Sequence, residues 1–209
     1  MSDAPSPVFL LDGITGELVE GHVTCGIGPE HIIDWHNAWQ PALGAVKATL
    51  LREGVPREEW PQSAHWNWPH KIEEVANLLG FHSFCVTSDG LTQGMMRVDL
   101  NQEARLESQR GKPLVYVDYL EVAPWNQPFG GMPIRLKGVG KVLTASAVTL
   151  SIEEGFKGRI GLHALPQSEG FYRRLNMTDL GPDERCKNLR YFEMTEEHAQ
   201  ALLSAGVAR

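Results

Sequence analysis

Between Pro113 and Leu165 the spacing of apolar residues changes twice, and this change limits the fold more than any other feature of the chain. "PLVYVDYLEVAP" (Pro113–Pro124) is β-branched and aromatic and is closed by proline at both ends, which reads as a strand. From Val139 to Leu150 the apolar positions recur at helical spacing: Val139, Leu143, Ala147 and Leu150 form one stripe, and Val142, Ala145 and Val148 form a second. "RIGLHAL" (Arg159–Leu165) then returns to strand character. A strand, a helix apolar on most sides and a second strand predict a crossover that sets two strands in parallel, with the helix buried against them.

The flanking segments supply the rest of a mixed α/β domain. Residues 8–25 alternate around Asp12-Gly13 and Gly16 and predict a hairpin. A long helical stretch follows from Pro29 to Gly54, with a break or kink expected at Pro41. "PHKIEEVANLLG" predicts a helix over 69–80, its inner face formed by Ile72, Val75, Ala76 and Leu79. Two strands are expected around Asp89-Gly90, a short helix over 166–177, a last strand over 188–194 and a closing helix over 195–204. We read residues 1–80 as a hairpin-and-helix extension on the acceptor side and 81–209 as the ligand-binding core of one domain, a twisted mixed sheet flanked by helices.

Composition narrows the function. A net charge of -7 weighs against a broad nucleic-acid surface. The apolar run Val8–Leu11 is too short for a signal peptide or a membrane span. Three widely separated cysteines, Cys25, Cys85 and Cys186, suit a reducing cytoplasm and form no metal-binding pattern. The pairs His31/His36 and His65/His70 are spaced five apart, which does not align two ligands on one helical face, so no metal is expected. Of the tryptophans between 35 and 68, most are expected to pack helices onto the sheet, and Trp125 is expected near a ligand.

The start of the long helix carries the chemistry. In "RLKGVGK" (Arg135–Lys141) two glycines stand just before a helix whose first amides lack internal partners. Free amides, close backbone approach and the helix dipole together favour a phosphate or diphosphate. The nucleotide-hydrolase loop is excluded, because Arg135 stands where its first glycine belongs and Val142 where Ser or Thr would hold magnesium. The dinucleotide fingerprint fails at Leu143. The pattern Arg135-x-x-Gly138-x-Gly140 matches [QR]-x-x-G-x-[GA] in full, with "LEVAP" (Leu120–Pro124) before it and "FYRRLNM" (Phe171–Met177) after it.

In these three motifs, over roughly residues 81–194, the chain resembles the GCN5-related N-acetyltransferases. The resemblance implies a single α/β domain that transfers acetyl from acetyl-coenzyme A to a primary amine by direct attack, without metal. It implies a coenzyme site over Arg135, Leu136, Lys137, Gly138, Val139, Gly140 and Lys141, with Ser168 nearby and the Val122 amide polarising the thioester carbonyl. Tyr172 takes the family's general-acid position. Strand parity puts Tyr116, Asp118 and Leu120 on one face and Val117, Tyr119 and Glu121 on the other. The resemblance implies base-type residues at the positions of Tyr116 and Asp118, which makes Asp118 the first candidate base and Glu121, acting through water, the second. A structural salt bridge from Asp118 to Arg97 or Arg190 is the alternative to catalysis. Tyr116, Trp125 and His163 are placed toward the acceptor. The family usually has Asn at the start of the tyrosine-bearing helix, where this chain offers His163, Gln167 and Ser168 instead. Residues 125–134 read as an inserted loop beside the site; Gln127-x-x-Gly130 imitates the phosphate loop, but Pro128 and Pro133 rule it out. The acceptor is a small-molecule or peptide amine, and a homodimer is left open. Two other classes remain: a coenzyme-binding sensor without turnover, and a toxin-type acetyltransferase acting on aminoacyl-tRNA.

Overall fold

The computed structural model describes residues 4–129 and 132–206. Its strands are β1 (Ser6–Asp12), β2 (Leu18–Cys25), β3 (Phe81–Ser88), β4 (Leu91–Glu103), β5 (Pro113–Val122), β6 (Leu136–Lys137), β7 (Ile160–Ala164), β8 (Thr178–Asp183) and β9 (Leu189–Met194). They form one sheet in the order β6-β1-β2-β3-β4-β5-β7-β9-β8. Among the described residues every pairing is antiparallel except β5 with β7, the pair joined by the buried helix α4 (Val139–Glu153). The expected crossover is therefore present. The other helices are α1 (Pro29–Asp34), α2 (Gln40–Arg52), α3 (Trp68–Glu73), α5 (Glu169–Arg174) and α6 (Glu196–Ser204). Among the described residues no helix is long and apolar enough to cross a membrane.

Two cores lie on opposite faces of the sheet. Under α4, Val139, Val142, Leu143, Ala147 and Val148 pack with Phe84, Val86, Met96, Val98, Val115, Val117 and Leu162. The hydroxyls of a helix buried on nearly all sides need local partners. Thr144 donates to the Gly140 carbonyl at 2.8 Å and Ser146 to the Val142 carbonyl at 3.1 Å. Gly94 lets the first turn of α4 approach the sheet, since a Cβ there would stand 2.6 Å from Val139. On the other face Trp35, Trp39 and Trp68 pack with Cys85, Met95 and Ala123. This is the packing role expected for most of the tryptophans.

Two helices differ from expectation. The kink at Pro41 is absorbed just upstream: Trp35–Trp39 form a wide π turn between α1 and α2, where the missing proline amide is accommodated. The helix expected over 69–80 stops at Glu73, and the residues after it form turns. Leu79, assigned to its inner face, is 93% exposed. Ile72 of that face packs on the tryptophan core, and helical spacing alone gave Leu79 no partner.

Candidate active site

A cleft opens where β5 and β7 part. Their parallel pairing covers Val115–Ile160, Tyr116–Gly161 and Val117–Leu162 and ends there, while β5 continues to Val122 against β4 alone. The cleft has a volume of about 620 Å³. Leu120, Glu121 and Val122 line one side of it, Leu165, Gln167 and Ser168 the other, and the start of α4 closes one end.

A β-bulge at Asp118 determines what β5 presents there. Arg97 faces Tyr119 but Val98 faces Val117, so Asp118 is an extra residue without a partner. The bulge reverses parity. Val115 and Val117 point into the α4 core, and beyond the bulge so do Leu120 and Val122, while Tyr119 joins the tryptophan face. The uninterrupted alternation assumed from sequence is therefore wrong past Val117. The bulge also sets the backbone. Ala123 N–H donates to the Gln93 carbonyl at 2.9 Å. By antiparallel alternation, the amides of Leu120 and Val122 then turn away from β4 toward the gap. The Gln127 side chain caps the Val122 carbonyl at 2.6 Å.

Gly138 caps α4 with φ of 100°, a conformation that favours glycine. The first bond closing back onto the cap comes from Val142 N–H to the Gly138 carbonyl. The amides of Val139, Gly140 and Lys141 are thus the unpaired N-terminal set. A Cβ on Gly140 would stand 3.2 Å from Phe171, so glycine here keeps α5 close to α4. Leu136, Lys137, Gly138, Val139 and Gly140 all line the cleft. The Arg135 and Lys141 side chains do not: Arg135 faces Asp89 at 3.8 Å, and Lys141 Nζ donates to the Gly206 carbonyl at 2.8 Å. The lining cations are Lys137 and Arg174. Arg174 escaped sequence reasoning, although its spacing of four from Gly170 places both on one face of α5.

Glu121 is the carboxylate in the cleft. It is buried, and its Oε2 accepts from Trp68 Nε1 at 2.6 Å. Burial pushes its carboxyl up to about 7, against the opposing pull of hydrogen bonds from Ser63 and Trp68. Tyr172 also lines the cleft, its ring packed on Phe171 and Phe192. Burial pushes its phenol well up, and its hydroxyl makes no hydrogen bond among the described residues.

Asp118 lies outside the cleft lining and is held by Arg97, through Nε at 2.8 Å and through Nη2. Burial pushes its carboxyl up while the guanidinium pulls it down. Arg190 pairs with Asp179 instead. Asp118→Asn should therefore lower stability by about 2 kcal/mol, because Arg97 is left with a weakened partner. Turnover should fall less than about tenfold, far short of the loss of a general base. Thermal melts and steady-state kinetics on one preparation check both.

The three acceptor-side expectations also move. Trp125 turns into the tryptophan core and donates to Gln93 Oε1 at 2.9 Å. Tyr116 and His163 pair with each other at 2.7 Å rather than lining the cleft, and His163 Nε2 lies 3.0 Å from Asp183. His163, Asp183 and Cys186 hold donor atoms within 4.8 Å of one another. Both His163 nitrogens are engaged, however, and Asp183 already carries Arg105. The inserted loop does lie beside the cleft, which Gln127, Pro128, Phe129 and Ile134 line. Gly130, the second glycine of the imitation motif, lies outside the described residues.

Solved structures of similar fold exist. The PaiA N-acetyltransferase of Thermoplasma acidophilum, in complex with coenzyme A, aligns with a TM-score of 0.50 over 83% of this chain and 98% of its own, at 13% identity. The chain has the fold of the GCN5-related N-acetyltransferases. The aminoglycoside N-acetyltransferase AAC(6')-Iy, in complex with coenzyme A, aligns over 75% of this chain and 86% of its own at 16% identity, with a TM-score of 0.43. The AtaT toxin, bound to the C-terminus of the antitoxin AtaR, aligns over 64% and 77% at 15% identity, with a TM-score of 0.48. No protein-family model and no curated protein matches the sequence.

In this N-acetyltransferase fold the region least legible from sequence is the cover of the cleft. Gln62 and Ser63 line it from the segment between α2 and α3. Gln62 and Gln167 exchange two hydrogen bonds, each backbone N–H donating to the other's side-chain Oε1 at 3.1 Å. Gln167 Nε2 also donates to the carbonyls of Glu59 and Trp60. These residues are 105 apart in sequence, and no local pattern signals the contact.

Proposed function

We propose that the protein is an acetyl-coenzyme A-dependent N-acetyltransferase that passes an acetyl group to a primary amine by direct attack. The observation that carries this reading is the cleft itself. One opening between β5 and β7 brings together the unpaired amides of α4, the Leu120 and Val122 amides, a buried carboxylate and a neutral phenol. The coenzyme A held by PaiA supports the choice of ligand.

The residues present suit that ligand. The amides of Val139, Gly140 and Lys141 offer donors to a diphosphate, with Lys137 and Arg174 adding charge. Leu136, Val139, Leu165 and Phe171 give an apolar wall for the pantetheine arm, and Leu120 and Val122 offer amides along it. Bound there, acetyl-coenzyme A supplies an activated acetyl thioester.

The protein's own groups then divide the work. The Val122 N–H is aimed to stabilise charge that develops on the carbonyl oxygen. Glu121, with its carboxyl near 7, accepts a proton from the incoming ammonium. Tyr172, kept protonated by burial, donates to the leaving sulfur. Asp118 has no part in this scheme, because Arg97 holds it outside the cleft lining.

A panel of acceptor amines with acetyl-coenzyme A, read by thiol release, tests the reading. Acetyl transfer to at least one amine is expected. Coenzyme binding with no acetylated product from any acceptor would favour a sensor.

A further inference from the structure

Next to Glu121, but outside the cleft lining, stands one of the chain's own primary amines, Lys71, close enough for its charge to act on the Glu121 carboxyl. Trp68 and Lys71 are three apart on α3, and Tyr119 and Glu121 are two apart on β5 beyond the bulge, so each pair shares a face. They meet rung against rung. Trp68 Nε1 donates to Glu121 at 2.6 Å, and Lys71 Nζ stands 3.2 Å from the centre of the Tyr119 ring. Trp66 closes the nook: its ring meets Tyr119 edge-on at 4.9 Å and lies 5.2 Å from the Lys71 nitrogen.

The ammonium in this nook sits against aromatic rings, with Glu74, Asp118 and Glu121 attracting it from beyond ion-pair distance. Among the described residues it makes no ion pair and donates no hydrogen bond. The nearby carboxylates are engaged elsewhere: Asp118 and Glu74 pair with Arg97, and Glu121 bonds Trp68. Burial, and then repulsion from Arg97, lowers the Lys71 pKa and raises its share of neutral amine, the form that attacks a thioester. Adjacent rungs on one face of a strand lie about 7 Å apart, within the sweep of a flexible four-carbon lysine stem.

On the acetyl-transfer reading above, we propose that Lys71 is an acetyl acceptor of this protein's own active site. The Lys71 ammonium gives one proton to the Glu121 carboxylate. Nζ attacks the acetyl carbon, the C–N bond forms and the C–S bond breaks. The sulfur takes a proton from Tyr172, which the second nitrogen proton replaces. The products are acetyl-lysine and the free thiol, and no oxidant or metal enters. The modification removes the charge from the nook and leaves Trp66 and Tyr119 facing a neutral amide.

The test is peptide mapping by mass spectrometry of the purified full-length chain after timed incubation with acetyl-coenzyme A, alongside calorimetric titration with coenzyme A. Lys71 should gain an acetyl group at least about a hundredfold faster than the exposed Lys112 and Lys157, and Glu121→Gln should remove that advantage while leaving the exposed lysines unchanged. Coenzyme binding with Lys71 unmodified, or modified at a rate indifferent to Glu121→Gln, overturns the proposal and leaves the transferase reading standing. Absence of coenzyme binding overturns both.

Discussion

Glu121→Gln should lower kcat/KM by about 10²- to 10⁴-fold, the range a positioned general base contributes. In the unsubstituted protein kcat/KM should rise with pH through about 7, as the Glu121 carboxyl loses its proton. In the variant that rise should vanish, because the amide does not titrate. Stability should respond in the opposite sense. The folded carboxyl titrates about 2.5 units above its ordinary value of 4.5. The stability linked to it is therefore fully present below about 4.5 and is lost as pH rises through about 7. That loss amounts to about 3 kcal/mol, and Glu121→Gln should remove this pH dependence. Denaturant titrations at pH 5 and 8 on both proteins check it. A catalytic group that destabilises its own fold at working pH is a recognised pattern of active sites.

Tyr172→Phe should reduce kcat by about 10²- to 10⁴-fold with the affinity for coenzyme A unchanged. The phenol is buried, protonated and without a hydrogen-bond partner among the described residues, so its removal breaks no structural contact. Isothermal titration with coenzyme A and single-turnover kinetics separate binding from chemistry. A variant that binds and turns over like the parent would point to a proton donor other than Tyr172.

The two effects come from groups that the sequence did not make equally visible. Tyr172 follows Phe171 in a short helix after a strand, a local motif that survives in the linear chain. Glu121 ranked behind Asp118 because Asp118 matched the resembling family's base-type positions, and no residue type near Asp118 announces the bulge that takes it out of the alternation. The glycines of α4 were legible because each answers a local demand: Gly138 a positive φ, Gly140 the nearness of Phe171. Arg135 and Lys141 misled for the converse reason. Formal charge beside a phosphate motif shows nothing of where a long side chain points, and here the helix backbone and Lys137 occupy the lining. The hairpin, the crossover and the tryptophan core followed from period and punctuation. The shortened α3 and the Gln62–Gln167 contact depend on tertiary packing, which periodicity does not encode.

On the proposed function, the amides opening α4 hold the diphosphate of coenzyme A. A crystal structure of the complex tests it directly. Diphosphate oxygens should lie within hydrogen-bond distance of the Val139, Gly140 and Lys141 amides, with the pantetheine arm running along Leu120–Val122. A coenzyme found elsewhere, with those amides turned to solvent or capped by the protein's own side chains, would contradict it.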